Sequence, residues 1–261
     1  MDLSLKGKTA LICGSSQGIG LATAVELSLL GASCILLARD EERLKAATAQ
    51  LHSSHGQQHR YEIADFSRID EVISVANDIA AGATVHILVN NTGGPASGPV
   101  LEAETKAFAA AFEQHLLCNQ VLAQALVPGM IEAKYGRIIN IISTSVKTPL
   151  KNLGVSNTTR WAVAAWSKTL ATELAPHGIT VNNVLPGSTN TGRLNSLFDA
   201  SAAKRNISKD QVADEWLAEI PMKRFGDPHE VAALAAFLAT PAASYITGTS
   251  TAVDGGKTPV A

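Results

Sequence analysis

Seven residues near the start, Gly14-Ser15-Ser16-Gln17-Gly18-Ile19-Gly20, restrict the fold more than any other stretch of the chain. Before them stands Thr9-Ala10-Leu11-Ile12-Cys13, an apolar run without alternation, as expected for a strand buried on both faces. After them comes Leu21-Ala22-Thr23-Ala24-Val25-Glu26-Leu27, a good helix former. A strand that turns on glycines into a helix gathers bare backbone N–H groups and the positive helix end at one point, which suits a diphosphate. Gly14 supplies the tight turn, Gly18 allows close approach of a ligand, and Gly20 lets helix and strand pack closely. With the strand before and the helix after, dinucleotide binding is the expected use.

The rest of the chain repeats strand and helix in alternation. Strands are expected at 33–38, 61–64, 85–89, 136–143, 179–184 and 249–253, and long helices at 103–133 and 155–176, with a shorter one at 228–238. No repeat or linker interrupts this order. The expected fold is α/β: one Rossmann-type, doubly wound parallel sheet of about seven strands with helices on both faces. Residues 1–261 form one domain, with a partly helical insertion at about 190–220 whose Leu194, Leu197, Phe198, Trp216 and Ile220 are suited to an apolar lid. If the first strand neighbours the fourth, Asn90-Asn91-Thr92-Gly93-Gly94-Pro95 faces the glycine turn across the switch point of the sheet.

At the end of the second strand, where an NAD site places an acid, stand Ala38 and Arg39. A guanidinium there pairs with a 2′-phosphate, so NADP is expected over NAD. Asp40 and Glu41 are read as partners of the next helix dipole. His52, His55 and His59 lie in a polar, loop-like stretch without a carboxylate or Cys, so no metal site is expected. A net charge of −2 excludes an evident nucleic-acid surface. No run approaches the ~20 apolar residues of a membrane span. Three cysteines without paired spacing, and no signal core at the start, suggest a cytoplasmic, reducing setting.

Several motifs occur in a familiar order: the glycine turn, Asp65, Asn90-Asn91-x-Gly93, Gly136-Arg137-Ile138-Ile139-Asn140, Asn182-x-Val184-x-Pro186-Gly187 and Val253-Asp254-Gly255-Gly256. Through them the chain resembles the classical short-chain dehydrogenase/reductases from end to end, most closely those similar to 3-oxoacyl-acyl-carrier-protein reductases. Cys13 and Thr92 depart modestly from a usual Thr and Ala. The resemblance implies cofactor contacts from Gly14, Ser16, Gln17, Gly18, Ile19, Gly20 and Arg39, from Asp65 and Phe66 at the adenine end, and from Asn91 and Gly93. It adds Arg160 at the ribose and Pro186, Gly187, Thr189 and Thr191 along the nicotinamide. It also implies a homotetramer built on the two long helices and the C-terminal strand.

The catalytic positions depart further. The family uses an Asn, a Ser and a Tyr-x-x-x-Lys; alignment on Gly136-Arg137 puts His115, Ser143, and Ser156 with Arg160 at those places. The pattern resumes at Ser167-Lys168, so the register holds. A serine is far less acidic than a phenol, and a guanidinium with a pKa above about 12 does not join a proton relay. His115 is either a substitute proton donor, since imidazole titrates near neutrality, or a packing residue. Asn119, one turn on, is a weaker replacement for the missing amide. Two functions compete: an NADP-dependent oxidoreductase of a small carbonyl or alcohol with Ser143, Ser156, Arg160 and His115 as an altered catalytic set, and an inactive nucleotide-binding sensor or partner subunit.

Overall fold

A computed structural model describes residues 1–259. Its frame is one parallel sheet of seven strands: β1 (Thr9–Cys13), β2 (Ser33–Ala38), β3 (Arg60–Ile63), β4 (Ile87–Asn90), β5 (Gly136–Ile141), β6 (Ile179–Pro186) and β7 (Ser250–Val253). The order is β3-β2-β1-β4-β5-β6-β7, so β1 pairs with both β2 and β4 and the switch point falls between β1 and β4.

The apolar runs of β1 and β2 are explained by burial on both faces, and β4 and β5 are buried along their whole length. On one face α1 (Gly18–Leu29) and α9 (Pro228–Ala239) cover Ile12, Leu36, Val89 and Ile139. On the other, Leu11, Leu37, Leu88 and Ile138 meet α3 (Ile69–Gly82) and its neighbours. Each fully buried Leu or Ile contributes roughly 1.5–3 kcal/mol through the water it sheds. The short α2 (Glu41–Thr48) follows β2, with Asp40 as its N-cap accepting from Arg43 N–H at 3.0 Å, and Glu41 in its first turn. Both acids therefore serve the helix start, as expected.

A buried amide ladder fixes the register beneath the carboxyl edge. Asn90, Asn140 and Asn183 stand side by side on β4, β5 and β6. Asn90 Nδ2 donates to Asn140 Oδ1 at 2.8 Å, Asn140 Nδ2 to Asn183 Oδ1 at 3.0 Å, and Asn183 Nδ2 to Ser250 Oγ on β7 at 3.1 Å. A one-residue slip would leave these amides buried without partners, each at about 1–3 kcal/mol.

The helix expected over 103–133 is three pieces. α4 (Thr105–Phe112) passes into a π turn, Glu113–Leu117, and then α5 (Cys118–Glu132). The insertion of one extra residue per turn is invisible to a 3.6-residue apolar period. The second long helix is α6 (Gly154–Leu174), ended by a 3₁₀ turn that carries Pro176. The 190–220 region folds as α7 (Gly192–Arg205) and α8 (Lys209–Ala218), which enclose Leu194, Phe198 and Val212.

Candidate active site

Above the carboxyl edge of the sheet lies a cleft of about 690 Å³, and it collects most of the residues singled out in the sequence. One wall is the glycine turn. Gly14 has φ +58° and Gly18 φ +59°, the left-handed region that favours glycine. A Cβ on Gly14 would stand 2.5 Å from Asn91 O, and one on Gly20 would collide with Gly14 O, so the strand, turn and helix meet with no room for side chains. Asn91 Nδ2 donates to Gly14 O at 3.1 Å and to Cys13 O at 3.3 Å, tying the β4 exit to this turn.

α1 begins at the cleft with no side chain capping it and no acid in its first turn. Its leading N–H groups and dipole are therefore available to an anion. Gly14, Gln17, Gly18 and Ile19 line the cleft here, whereas Gly20 is packed against Gly14 and Ser16 lies outside the lining. Gln17 Oε1 also accepts from Arg43 Nη1 at 3.2 Å, an arginine that the sequence reading passed over.

Beyond the lining, at the ends of β2 and β3, Arg39 is exposed and lies close enough to Asp65 to act on its charge. The Ser67 N–H and hydroxyl, with Arg39 and Arg68, hold the Asp65 carboxyl below the usual range. Phe66 likewise lies outside the lining, its side chain buried in the core and its carbonyl accepting from Cys118 Sγ at 3.6 Å.

The opposite wall comes from β4, β5, β6, α6 and α7. Asn91, Thr92 and Gly93 line it after β4, and Pro186, Gly187, Thr189 and Thr191 after β6. Ser143 caps a 3₁₀ turn after β5, and its Oγ accepts from Ser145 N–H at 3.1 Å. Ser156 and Arg160, one turn apart on α6, share the face directed to the cleft. Arg160 is only 8% exposed, and its Nη1 donates to Ile141 O at 3.2 Å. Burial and the nearby charge of Arg193 lower its pKa to about 10, so it stays charged at neutral pH.

His115 is the largest correction. It sits in the π turn, 2% exposed, behind Thr92, whose Oγ1 is 2.5 Å from its Nδ1. Burial, then the charges of Arg160 and Arg193, push its pKa down to about 2. The imidazole is neutral at physiological pH and is not an acid that titrates near neutrality. Asn119 is likewise buried and does not line the cleft.

No tyrosine lines this cleft. Tyr61 OH donates to Glu41, Tyr135 OH to Ala239 O, and Tyr245 is fully exposed. Lining residues that escaped the sequence reading include Arg193, Leu150, Leu153, and Glu219 and Lys257, which pair at 2.8 Å. The signal for Arg193 was its place directly after Thr191-Gly192, where a helix starts and a cation opposes the dipole. Among the described residues no group of His, Cys, Asp and Glu is arranged to hold a metal.

Residues 14–258 match a family described as enoyl-(acyl carrier protein) reductase. The chain belongs to the short-chain dehydrogenase/reductase family. It is 33% identical over 256 residues to the 3-oxoacyl-[acyl-carrier-protein] reductase FabG of Vibrio cholerae, covering 97% of this chain and 98% of that one. It is 32% identical over 252 residues to the NADPH-dependent reductase BacG of Bacillus subtilis, with 96% and 97% covered. L-Sorbose reductase from Gluconobacter frateurii, solved with NADPH and L-sorbose, superposes with a TM-score of 0.92 at 32% identity and complete coverage of both chains. The seven-stranded sheet and its glycine turn are thus those of a short-chain dehydrogenase/reductase.

Proposed function

We propose that this protein is an NADP-dependent oxidoreductase of a small carbonyl or alcohol, with Ser143, Ser156 and Arg160 in place of the family's phenol–ammonium pair. The observation that carries this reading is one cleft shared by an uncapped helix start, two serine hydroxyls and a charged guanidinium. The residues present fit the dinucleotide. The glycine cradle leaves backbone N–H groups for the diphosphate, Arg39 offers a fork to the 2′-phosphate, and Asp65 stands beside it for the adenine end. NADPH, when bound, supplies the hydride.

The chain supplies the rest. Ser143 and Ser156 donate hydrogen bonds to a carbonyl oxygen, and Arg160 stabilises negative charge that develops on it. Arg160 keeps its proton at neutral pH, so the proton that completes an alcohol comes from water in the open cleft. α7 and α8 close over this end as a lid, with Leu194, Leu197 and Trp216 facing the ligand. Phe198 instead sets the lid's own core, 5.3 Å from Trp216 and 5.5 Å from Phe225.

The test combines an NADPH fluorescence titration with NADPH oxidation across a carbonyl panel, for the unmutated protein and for Ser143→Ala. Turnover lost in Ser143→Ala at unchanged NADPH affinity is expected. The absence of any phenol from the cleft favours a second reading, a nucleotide-binding protein without turnover, and binding without oxidation of any panel member would establish it.

The reading extends to setting and assembly. Cys13, Cys34 and Cys118 are free and buried, burial raises all three thiols, and this suits a reducing cytoplasm. Among the described residues no helix is long and apolar enough to cross a membrane. Val100, Leu101, Leu117 and Trp161 are exposed around α4 and α6, as are Met222 and Tyr245 towards the C-terminal strand. These two apolar areas are the interfaces of a homotetramer in this reading. A monomer in light scattering at micromolar concentration would contradict it.

A further inference from the structure

The charges that face the cleft do not balance. Its lining holds three cations, Arg160, Arg193 and Lys257, and one anion, Glu219. Lys257 and Glu219 satisfy each other at 2.8 Å. Two guanidiniums remain with no carboxylate partner among the described residues. Arg160, on the floor, meets one carbonyl, Ile141 O at 3.2 Å; Arg193, at the more exposed rim, meets Pro95 O at 2.6 Å. They are near enough for each to disfavour a further positive charge beside it.

Like charges brought together in a partly buried site are costly unless something negative joins them. The helix starts add to the imbalance. α6 and α7 both open on this cleft, through Leu153 and Ser156 and through Thr191 and Gly192, and neither has an acid in its first turn. Arg193 itself occupies the first turn of α7, where a cation is disfavoured by the dipole.

The chain treats a structural buried arginine differently. Arg137, 3% exposed at the far edge of the sheet, lies 4.2 Å over the Tyr135 ring and donates to Gly136 O and Gly178 O. Arg160 and Arg193 have no such ring and instead face open space.

We propose that Arg160 and Arg193 form an anion site at the reaction end of the cleft, and that the substrate is an oxo acid whose carboxylate they hold. The carbonyl half of this inference rests on the oxidoreductase reading above; the anion half rests on the two guanidiniums alone. In the reduction, the carbonyl carbon accepts hydride from NADPH, which becomes NADP⁺, and the carbonyl oxygen takes a proton from water to give a hydroxy acid. The carboxylate is unchanged.

The test compares free oxo acids with their own methyl esters, pyruvate, phenylpyruvate, acetoacetate and laevulinate being the probes. Binding is measured by calorimetry on the protein with NADP⁺ present, and turnover is measured separately with NADPH. At least one acid is expected to bind about tenfold or more tighter than its ester, the worth of one charge-assisted hydrogen bond. Arg193→Gln, a change at an exposed residue, should erase that preference at unchanged melting temperature and unchanged NADPH affinity. Equal binding of every acid and its ester in the unmutated protein would overturn the proposal. So would an Arg193→Gln protein that loses NADPH affinity and keeps the acid preference, because the guanidinium would then serve the cofactor's phosphates. Selective binding of acids without turnover would support the anion site and defeat the oxidoreductase reading, so the two fail separately.

Discussion

The two ends of the cleft are built on opposite rules. At the glycine turn the chain has removed side chains until backbone meets backbone: Gly20 sits on Gly14, and Asn91 bonds both Gly14 O and Cys13 O. At the other end the chain projects side chains, Ser143, Ser156, Arg160 and Arg193, into a space that nothing of its own fills. In the proposed function the first end would hold its ligand through main-chain geometry, so its tolerance for change is small. The second would hold its ligand through side-chain groups, and its residues can change while the frame stays intact. In the proposed reading this contrast lets a chain with the family's sheet and glycine turn carry Ser156 and Arg160 at the reaction end.

The sharpest way to break the contrast is to add one methyl group where there is no room. Gly20→Ala would drive a Cβ into Gly14 O and to 2.7 Å from Asn91 Nδ2. Overpacking of this kind costs about 1–3 kcal/mol or more. Thermal melting should fall by several degrees at roughly 2–4 °C per kcal/mol, and NADPH binding should fail with it. A melting temperature equal to that of the unmutated protein would show that the turn is looser than its packing indicates.

A charge removed at the cofactor end tests a smaller part of the same claim. Arg39→Ala should narrow the preference for NADPH over NADH by about 1.5–3 kcal/mol, the value of a charge-assisted pair. The measurement is a pair of titrations, one per cofactor. If the unmutated protein binds both equally, Arg39 does not read the phosphate.

His115 gives a smaller effect again, one that appears only in acid. Its folded pKa lies far below the ordinary 6.5, because burial and two arginines disfavour the imidazolium. Between those values the unfolded chain takes up a proton that the folded one refuses. Stability is therefore intact above pH 6.5 and falls as the pH drops below it. The loss attributable to this residue reaches about 2 kcal/mol near pH 5. His115→Asn should flatten that part of the pH profile in denaturant titrations. An unchanged profile would place the imidazole in a wetter setting than Thr92 and the π turn provide.

These differences also mark what could be read from the sequence. The strand–glycine–helix unit is local, so its residues state their own geometry, and Gly14, Gly18 and Asn91 lie together on one wall of the cleft. Ser143, Ser156 and Arg160 came from alignment with the resembled family's catalytic positions, and α6 brings the last two to one face. His115 was misread because its environment is long-range. It sits in a π turn behind Thr92, and burial first, then Arg160 and Arg193 from α6 and α7, disfavour its charge. Arg193 was missed because a helix start inside an insertion carries no apolar period to fix which way its first turn faces.

The claim on which the account turns is that hydride moves in a cleft that has no phenol. Deuterium transfer tests it most directly. The protein is incubated with NADPH labelled by deuterium at the hydride-donating carbon and with the panel of carbonyl compounds, oxo acids included, and the products are weighed by mass spectrometry. The account predicts an alcohol product that carries one deuterium at the former carbonyl carbon, formed by the unmutated protein and lost in Ser143→Ala. NADPH that binds in titration while every product remains unlabelled would contradict it and leave a nucleotide-binding protein in its place.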